Sequence, residues 1–258
     1  MNYGLLGEKL GHSFPPQIHR QLASYEYVLI EKKPEEVEDF LREKKFQGIN
    51  VTIPYKKTVF AYCDEISELA RRIGSINTIA NREGKLYGDN TDYYGFRYMV
   101  QKLGIPIKGK KALILGNGGA APAVQAALED EGAGEIVIIS RRGEDNYENL
   151  SRHYDAQIIA NTTPLGMYPN TGAAAVDLNL FPQCEAVYDL IYNPLKTKLL
   201  LTADRLGIPN IDGLAMLVAQ AKKSCEIFLD TVIPDEKIEI IRKKLYREVS
   251  NVCIIGMP

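Results

Sequence analysis

Residues 111–121 read Lys-Ala-Leu-Ile-Leu-Gly-Asn-Gly-Gly-Ala-Ala, and this stretch decides the fold of the second part of the chain. An apolar strand, 111–115, runs into a glycine loop that opens an alanine-rich helix, 120–131, and a second apolar strand, 135–140, follows. This order predicts a βαβ unit with parallel strands. Glycines let such a loop approach a pyrophosphate, whose charge is favoured at a helix N-terminus. The loop therefore predicts a dinucleotide site; a loop that only caps the helix is the alternative.

The end of the second strand indicates which dinucleotide is bound. Ser140-Arg141-Arg142 stands where an NAD-binding chain usually places a carboxylate for the ribose hydroxyls. An arginine offers a planar fork of donors to a 2′-phosphate, and the Ser140 hydroxyl can add one more. We therefore predict NADP, although Glu144 and Asp145 follow closely and two solvated arginines in a turn are the alternative.

The composition excludes several classes of protein. The 258 residues are 45% hydrophobic and 25% charged with a net charge of -2, which is ordinary for a folded domain and argues against broad contact with nucleic acid or anionic membranes. No apolar run is long enough to span a bilayer, and the N-terminus lacks a signal peptide. Four scattered cysteines are expected to be reduced thiols of a cytoplasmic protein, and no metal site is expected. His19 and His153 are expected at the surface.

Polar segments in the first hundred residues point to a small-molecule substrate. They are 11–16, 50–56 and 88–92, with Asn77 shortly before the last. Ligands gather at the carboxyl ends of strands in open α/β sheets, and a polyhydroxylated substrate needs many hydrogen-bonding partners. The strands expected here are 2–6, 25–30, 48–53, 78–81 and 85–87, and the helices 17–23, 34–45, 56–62, 67–73 and 92–103. Further strands are expected at 157–160, 186–190 and 209–211, and helices at 213–229 and 235–249.

The sequence thus predicts an α/β protein of two domains. An N-terminal α/β substrate domain would comprise 1–101 with about 221–249, formed by C-terminal helices that return to it. A Rossmann-like NADP-binding domain would comprise 102–220.

Several separated motifs resemble those of the shikimate dehydrogenase family, over residues 3 to about 249. In order along the chain, these are the His12-Ser13 loop, residues 50–56, residues 75–78, residues 90–92, the glycine loop, residues 161–167, residues 189–192 and residues 212–220. The resemblance implies the reversible, NADP-dependent reduction of 3-dehydroshikimate to shikimate, a step of the chorismate pathway to the aromatic amino acids.

The resemblance also implies roles for individual residues. Lys56 and Asp92 match the family's catalytic pair. Residues that match its substrate contacts are Ser13, Thr52, Asn77, Tyr192 and Gln220. Residues that match the cofactor contacts are Gly116, Gly118, Gly119, Ala120, Arg141, Thr162, Gly213 and Met216.

The chemistry of a ketone reduction fits the catalytic pair. The carbonyl oxygen develops negative charge and then needs a proton, which an ammonium group can stabilise and supply. We assign this role to Lys56, with Asp92 as the group that orients it; which of the two moves the proton stays open. Read alone, Lys56 would be a surface lysine and Asp92 a helix cap.

One departure from the family pattern leaves the identity of the preferred substrate undecided. The family's loop carries a second serine for the substrate carboxylate, and Pro15 stands there instead. Losing one hydrogen bond to a charged group costs about 1.5–3 kcal/mol. A quinate or dual quinate/shikimate dehydrogenase is therefore an alternative, as are a methylenetetrahydrofolate-type dehydrogenase and a catalytically inactive regulator that binds nucleotide or metabolite.

The end of the chain carries a separate hypothesis. Residues 250–258 form an apolar run that ends in Gly-Met-Pro, which resembles the strand before a P-loop, as at the start of shikimate kinases. We expect a strand here and the start of a fused kinase domain; an ordinary tail is the alternative. The expected assembly is a monomer or a homodimer.

Overall fold

The computed structural model describes residues 3–11 and 14–255, with side chains up to 248. The contacts within the chain group it into two compact units. The first is Met1–Tyr94 with Leu217–Ile241, and the second is Gly95–Met216 with Arg242–Pro258. The main divisions lie a few residues before those expected near 101 and 220. The chain from Arg242 onward groups with the second unit, where Arg242 Nη1 lies 3.8 Å from Asp212 Oδ2.

Strands and helices alternate along most of the chain. Up to the first division they are β1 (Tyr3–Gly7), α1 (Pro15–Leu22), β2 (Tyr27–Glu31), α2 (Pro34–Glu43), β3 (Gly48–Val51), β4 (Glu65–Ile66), α3 (Glu68–Ile73), β5 (Thr78–Arg82) and β6 (Lys85–Asp89). They continue with α4 (Asp92–Leu103), β7 (Lys111–Leu115), α5 (Ala121–Asp130), β8 (Glu135–Ile139), β9 (Ile158–Asn161), β10 (Ala186–Asp189), α6 (Lys198–Leu206), β11 (Asn210–Ile211), α7 (Gly213–Leu229) and α8 (Glu236–Ile255). Short 3₁₀ helices occupy Thr58–Tyr62, Leu150–His153 and Leu178–Leu180.

The first unit is built on a mixed sheet in the order β2-β1-β3-β5-β6-β4. β1 pairs in parallel with both β2 and β3, and the hairpin β5–β6 adds antiparallel pairs. Glu83 and Gly84 at the tip of the hairpin both have positive φ, as a two-residue turn requires. The core under this sheet combines β1, β3 and α2 through Leu6, Ile49 and Leu41.

The second unit is built on an all-parallel sheet in the order β11-β10-β9-β7-β8. Its central strands β7, β9 and β10 are buried on both faces, which is why they are largely apolar in sequence. The chain order reverses beside β7, so the β7–α5 loop lies at the switch point where open α/β sheets bind ligands. The predicted α/β class with a Rossmann-like second domain is confirmed.

The structure corrects three expectations. Residues 250–255 continue α8 and form no strand, because a helix satisfies its backbone hydrogen bonds internally whereas a lone strand needs a partner. His19 and His153 are buried, at 1% and 8% exposure, instead of lying at the surface. His19 is stacked on Tyr27 with ring centroids 3.9 Å apart, and His153 is paired with Asp145, so tertiary contacts bury both rings.

Further features concern the cysteine side chains, the length of the helices and the distribution of metal-binding groups. Cys63, Cys184 and Cys225 are free thiols. Within residues 3–11 and 14–255, no helix is long and apolar enough to cross a membrane. The same part of the chain contains no cluster of histidine, cysteine or carboxylate side chains arranged to hold a metal ion.

Candidate functional site

A lysine–aspartate ion pair forms the centre of the site in the first unit. Lys56 follows β3 and Asp92 begins α4, and Lys56 Nζ donates to Asp92 Oδ2 over 2.6 Å. The side chains are only 15% and 5% exposed, so water screens their attraction weakly. An ammonium group has three donors, and Asp92 takes one of them, so the lysine keeps hydrogen-bonding capacity for a ligand.

The predicted cap role of Asp92 is wrong in detail. Its own N–H is accepted by Asn90 Oδ1 over 3.1 Å, so Asn90 satisfies the start of α4. The Asp92 carboxylate is used elsewhere: Oδ2 accepts from Lys56 and Oδ1 accepts from Asn77 Nδ2 over 2.9 Å. Both oxygens are therefore held in fixed directions.

Asn77 connects the pair to Gln220 on α7. Its Nδ2 donates to Asp92 Oδ1 and to Gln220 Oε1 over 3.3 Å, while its Oδ1 accepts the Thr91 N–H over 2.7 Å. The structure thus brings together four of the predicted residues: Lys56, Asp92, Asn77 and Gln220. Thr52 lies four residues before Lys56 on the same loop, half-buried. Ser13 lies outside the described residues.

A buried hydroxyl cluster, Thr78, Thr91 and Ser224, lies behind Asn77. The three hydroxyl oxygens are 2.9–3.1 Å from one another, and Asn50 Nδ2 donates to Ser224 Oγ over 2.7 Å. Thr78 and Thr91 also contact Asn77 Oδ1. Sequence reasoning missed this cluster. Ser224 lies one helical turn after Gln220, and this spacing is the signal that could have found it.

The glycine loop of the second unit has a shape that lets a ligand approach its backbone closely. Gly116 has φ +98°, and a Cβ there would lie 2.8 Å from Thr163 Cγ2, so only glycine fits. A Cβ at Gly118 would meet no atom within 4 Å, which shows that this side of the loop is open. Thr162 Oγ1 donates to the Leu115 carbonyl over 2.8 Å and fixes the neighbouring loop against the end of β7.

Two cavities surround this loop. One of about 490 Å³ is lined by residues that include Gly116, Gly118, Ser140, Arg141, Tyr147 and Thr162. The other, of about 440 Å³, is lined by Asn117, Ser140, Arg141 and Arg142. Burial raises the pKa of the Tyr147 hydroxyl, and the positive charge of Arg141 offsets part of this effect. Five of the predicted cofactor residues thus line one cavity: Gly116, Gly118, Ser140, Arg141 and Thr162.

The other predicted residues of the second unit line neither of these cavities. Gly119 and Ala120 lead directly into α5. Gly213 starts α7 against the Leu190 carbonyl, where a Cβ would collide, and Met216 is buried one turn later. Tyr192 is half-buried, and burial raises the pKa of its hydroxyl.

Two buried titratable side chains, one in each unit, have strongly shifted pKa values. Burial lowers the pKa of His19 in the first unit to about 3, so the ring is neutral at physiological pH. Burial raises the pKa of Asp189 in the second unit to about 6, although Thr197, Asn161 and the Ile191 N–H donate to the carboxylate.

The comparisons with known proteins give relatives from one family. The substrate binding domain of shikimate dehydrogenases matches residues 5–79. A shikimate dehydrogenase (NADP(+)) of Clostridium perfringens is 39% identical over 247 residues, which cover 88% of this chain and 91% of that protein.

Solved structures extend the similarity to the whole fold. A chorismate mutase/shikimate 5-dehydrogenase fusion protein from Clostridium acetobutylicum superposes with a TM-score of 0.91 at 37% identity, covering 96% of this chain and 98% of that one. A shikimate 5-dehydrogenase from Thermus thermophilus, solved in complex with NADP(H) and shikimate, superposes with a TM-score of 0.85 at 30% identity, covering 95% and 99%.

Proposed function

The chain belongs to the shikimate dehydrogenase family, and from this premise we propose that it reduces 3-dehydroshikimate to shikimate with NADPH, and catalyses the reverse reaction. It is an NADP-dependent oxidoreductase. When bound, NADPH supplies the hydride that reduces the ketone. The protein's part is to position the ketone, stabilise the charge on its oxygen and provide a proton.

Lys56 carries the proton transfer in this proposal. Its Nζ is held by Asp92 over 2.6 Å and retains two further N–H donors, one of which can point to the ketone oxygen. As negative charge develops on that oxygen, the ammonium group stabilises it and donates a proton. Asp92 fixes the direction of Nζ and holds a hydroxyl of the substrate.

The other substrate contacts follow from the same residues. Asn77 and Gln220 present amide groups beside Asp92, and Thr52 presents a hydroxyl that bonds no other described side chain. We propose these three residues, with Ser13 and Tyr192, as partners of the substrate's hydroxyl and carboxylate groups.

The second unit fits NADP on its own geometry. The open side of Gly118 and the start of α5 suit a pyrophosphate, and Ser140 and Arg141 line a cavity that suits a 2′-phosphate. We propose Gly116, Gly118, Gly119 and Ala120 as the pyrophosphate contacts. Ser140 and Arg141 are proposed for the 2′-phosphate, and Thr162, Gly213 and Met216 for the nicotinamide end.

The single observation that carries the proposal is the buried Lys56–Asp92 pair tied to Asn77 and Gln220. The test follows the absorbance of reduced nicotinamide while the purified chain receives shikimate or quinate, each with NADP or NAD. We expect rapid reduction of NADP with shikimate alone. No turnover in any combination would contradict the proposal and favour a binding or regulatory protein.

Quinate is a second candidate on one observation. Pro15, the first residue of α1, has replaced the hydroxyl that the family uses on the substrate carboxylate. Turnover of quinate at a rate comparable to shikimate would show that this change has broadened the substrate range.

A further inference from the structure

Asp145 poses a problem for NADP binding that the structure answers. It lies four residues after Arg141, in the loop that follows β8, and a carboxylate facing the 2′-phosphate cavity would repel the ligand. A carboxylate in this region also suits the ribose hydroxyls of NAD. The cavity is nevertheless lined by Asn117, Ser140, Arg141 and Arg142, and the Asp145 side chain is bound elsewhere.

His153 is the group that binds it. His153 Nε2 lies 2.9 Å from Asp145 Oδ1, and an ionised carboxylate only accepts, so Nε2 carries the proton. The histidine side chain is 10% exposed and the aspartate 33%. His153 Nδ1 is buried and has no partner among the described residues. The contact with Asp145 is therefore the polar interaction that this buried ring makes.

The loop itself is held without His153. The Ser140 N–H donates to the Asp145 carbonyl over 3.1 Å and closes the turn. Asn146 Nδ2 donates to the Gly143 carbonyl over 3.3 Å, and Asn149 Nδ2 donates to the Glu144 carbonyl over 2.8 Å. Removing the imidazole would thus release the Asp145 side chain while its backbone stays in place.

Arg141 and Arg142 differ from Asp145 in this respect. Both are exposed, and neither forms an ion pair within the part of the chain that the structure describes. The cationic side chains of the loop are open to a ligand, while the carboxylate of Asp145 is held against the protein.

We propose that His153 is a positioning residue that sets the preference for NADP over NAD by holding the Asp145 carboxylate away from the 2′-phosphate cavity. This inference rests on the proposed function and deepens its cofactor specificity. His153 lines neither cavity beside the glycine loop and acts through Asp145.

The test measures the dissociation constants of NADP⁺ and NAD⁺ by calorimetry on the full chain. In His153→Leu, which fills the space but donates nothing, we expect the ratio of NAD⁺ to NADP⁺ dissociation constants to fall roughly tenfold, the scale of one charge–charge interaction near a protein surface. His153→Gln retains a donor and should keep a ratio near that of the wild type.

The double variant His153→Leu/Asp145→Asn separates specificity from structure. It lacks the charge that His153→Leu releases, so its ratio should return to the wild-type value. An unchanged ratio in His153→Leu, or equal weakening of both nucleotides without rescue by Asp145→Asn, would overturn the proposal. Shikimate turnover by the wild type tests the proposed function separately, so an active wild type with an unchanged ratio in His153→Leu overturns this inference alone.

Discussion

The candidate sites of the two units organise their polar side chains in opposite ways. In the first unit, the groups of the candidate site bind one another: Lys56 to Asp92, Asp92 to Asn77, and Asn77 to Gln220. In the second unit, the Arg141 and Arg142 guanidinium groups are exposed beside a cavity and form no ion pair with another described residue.

The difference follows from what each unit has to bind. The carbonyl group that reacts is neutral and offers weak interactions, so the geometry around it must exist before the substrate arrives, and buried hydrogen bonds supply that geometry. A phosphate carries a strong charge. Arginines that are exposed to solvent before it binds can therefore still contribute to its binding affinity. Changes in the Lys56–Asp92 site of the first unit should therefore alter rate or stability, and changes at the exposed arginines of the second should alter cofactor affinity.

The largest effect is expected from Lys56→Met. The variant removes the proposed proton donor, and kcat should fall at least ~10²-fold, the lower range for general acid–base catalysis. Lys57→Ala, at the exposed neighbouring lysine, is the matched control and should retain full activity. Steady-state kinetics measures the effect, and circular dichroism checks that both variants are folded. A kcat near wild type in folded Lys56→Met would remove Lys56 from the mechanism.

Arg141→Ser should have the next largest effect, and this effect should be confined to the affinity for NADP⁺. Losing hydrogen bonds to a charged phosphate costs about 1.5–3 kcal/mol, so the NADP⁺ dissociation constant should rise roughly 10–100-fold. The NAD⁺ dissociation constant should stay near its wild-type value, because NAD lacks the 2′-phosphate. Arg152→Ser, another exposed arginine of this unit, is the control. Equal weakening of both nucleotides by Arg141→Ser would show that Arg141 does not read the 2′-phosphate.

The contrast between the units also explains which parts the sequence predicts well. The glycine loop, the strand β7 and the helices α4 and α7 depend on local patterns, and the bounds of these three elements are those expected. Strand β4 has two residues and is defined by its pairing with β6, so no local sequence pattern predicts it.

Helix α6 is different, since the sequence carries clear signals for both of its ends. Thr197 caps its start by accepting the Leu200 N–H, and Gly207 ends it in a left-handed conformation. Thr and Gly at these positions are ordinary helix boundaries, so this helix was predictable.

The burial of polar side chains is the feature that could not be predicted from the sequence. The resemblance brought Lys56 and Asp92 together, but the cluster behind Asn77 joins residues from three distant segments. The same holds for His19 and His153, whose surroundings come from contacts distant in sequence. Pairing of buried polar groups is a tertiary property, and local patterns carry little of it.

A pH-dependent effect on stability is expected from Asp189. The pKa of its carboxyl is about 6 in the folded protein and near 4 when unfolded, so the folded state binds the extra proton between these values. The contribution of Asp189 to the free energy of unfolding is thus full below about pH 4 and is lost as pH rises through 6, by about 3 kcal/mol in all.

Asp189→Asn isolates this contribution, because other groups titrate in the same window. The difference in free energy of unfolding between wild type and variant, measured in urea from pH 4 to pH 7, should shift in favour of the variant as pH rises. The neutral amide can keep the hydrogen bonds from Asn161 and the Ile191 N–H through its oxygen. A difference that does not change with pH would mean that this carboxyl titrates alike in both states.

The smallest effect, and the finest test of the comparison, is expected from Ser224→Ala. The change deletes one hydroxyl of the buried cluster, and Asn50 Nδ2 keeps Thr78 Oγ1 at 3.0 Å as a partner, so the cost should be near 1 kcal/mol in free energy of unfolding. Asn77 loses no direct bond but loses support behind it, so kcat should fall a few-fold while the NADP⁺ dissociation constant stays unchanged. Ser151→Ala, at an exposed serine of the second unit, should change neither quantity. If Ser224→Ala lowers stability but leaves kcat untouched, the cluster serves folding alone, and the geometry of the first unit's site depends on fewer bonds than the network suggests.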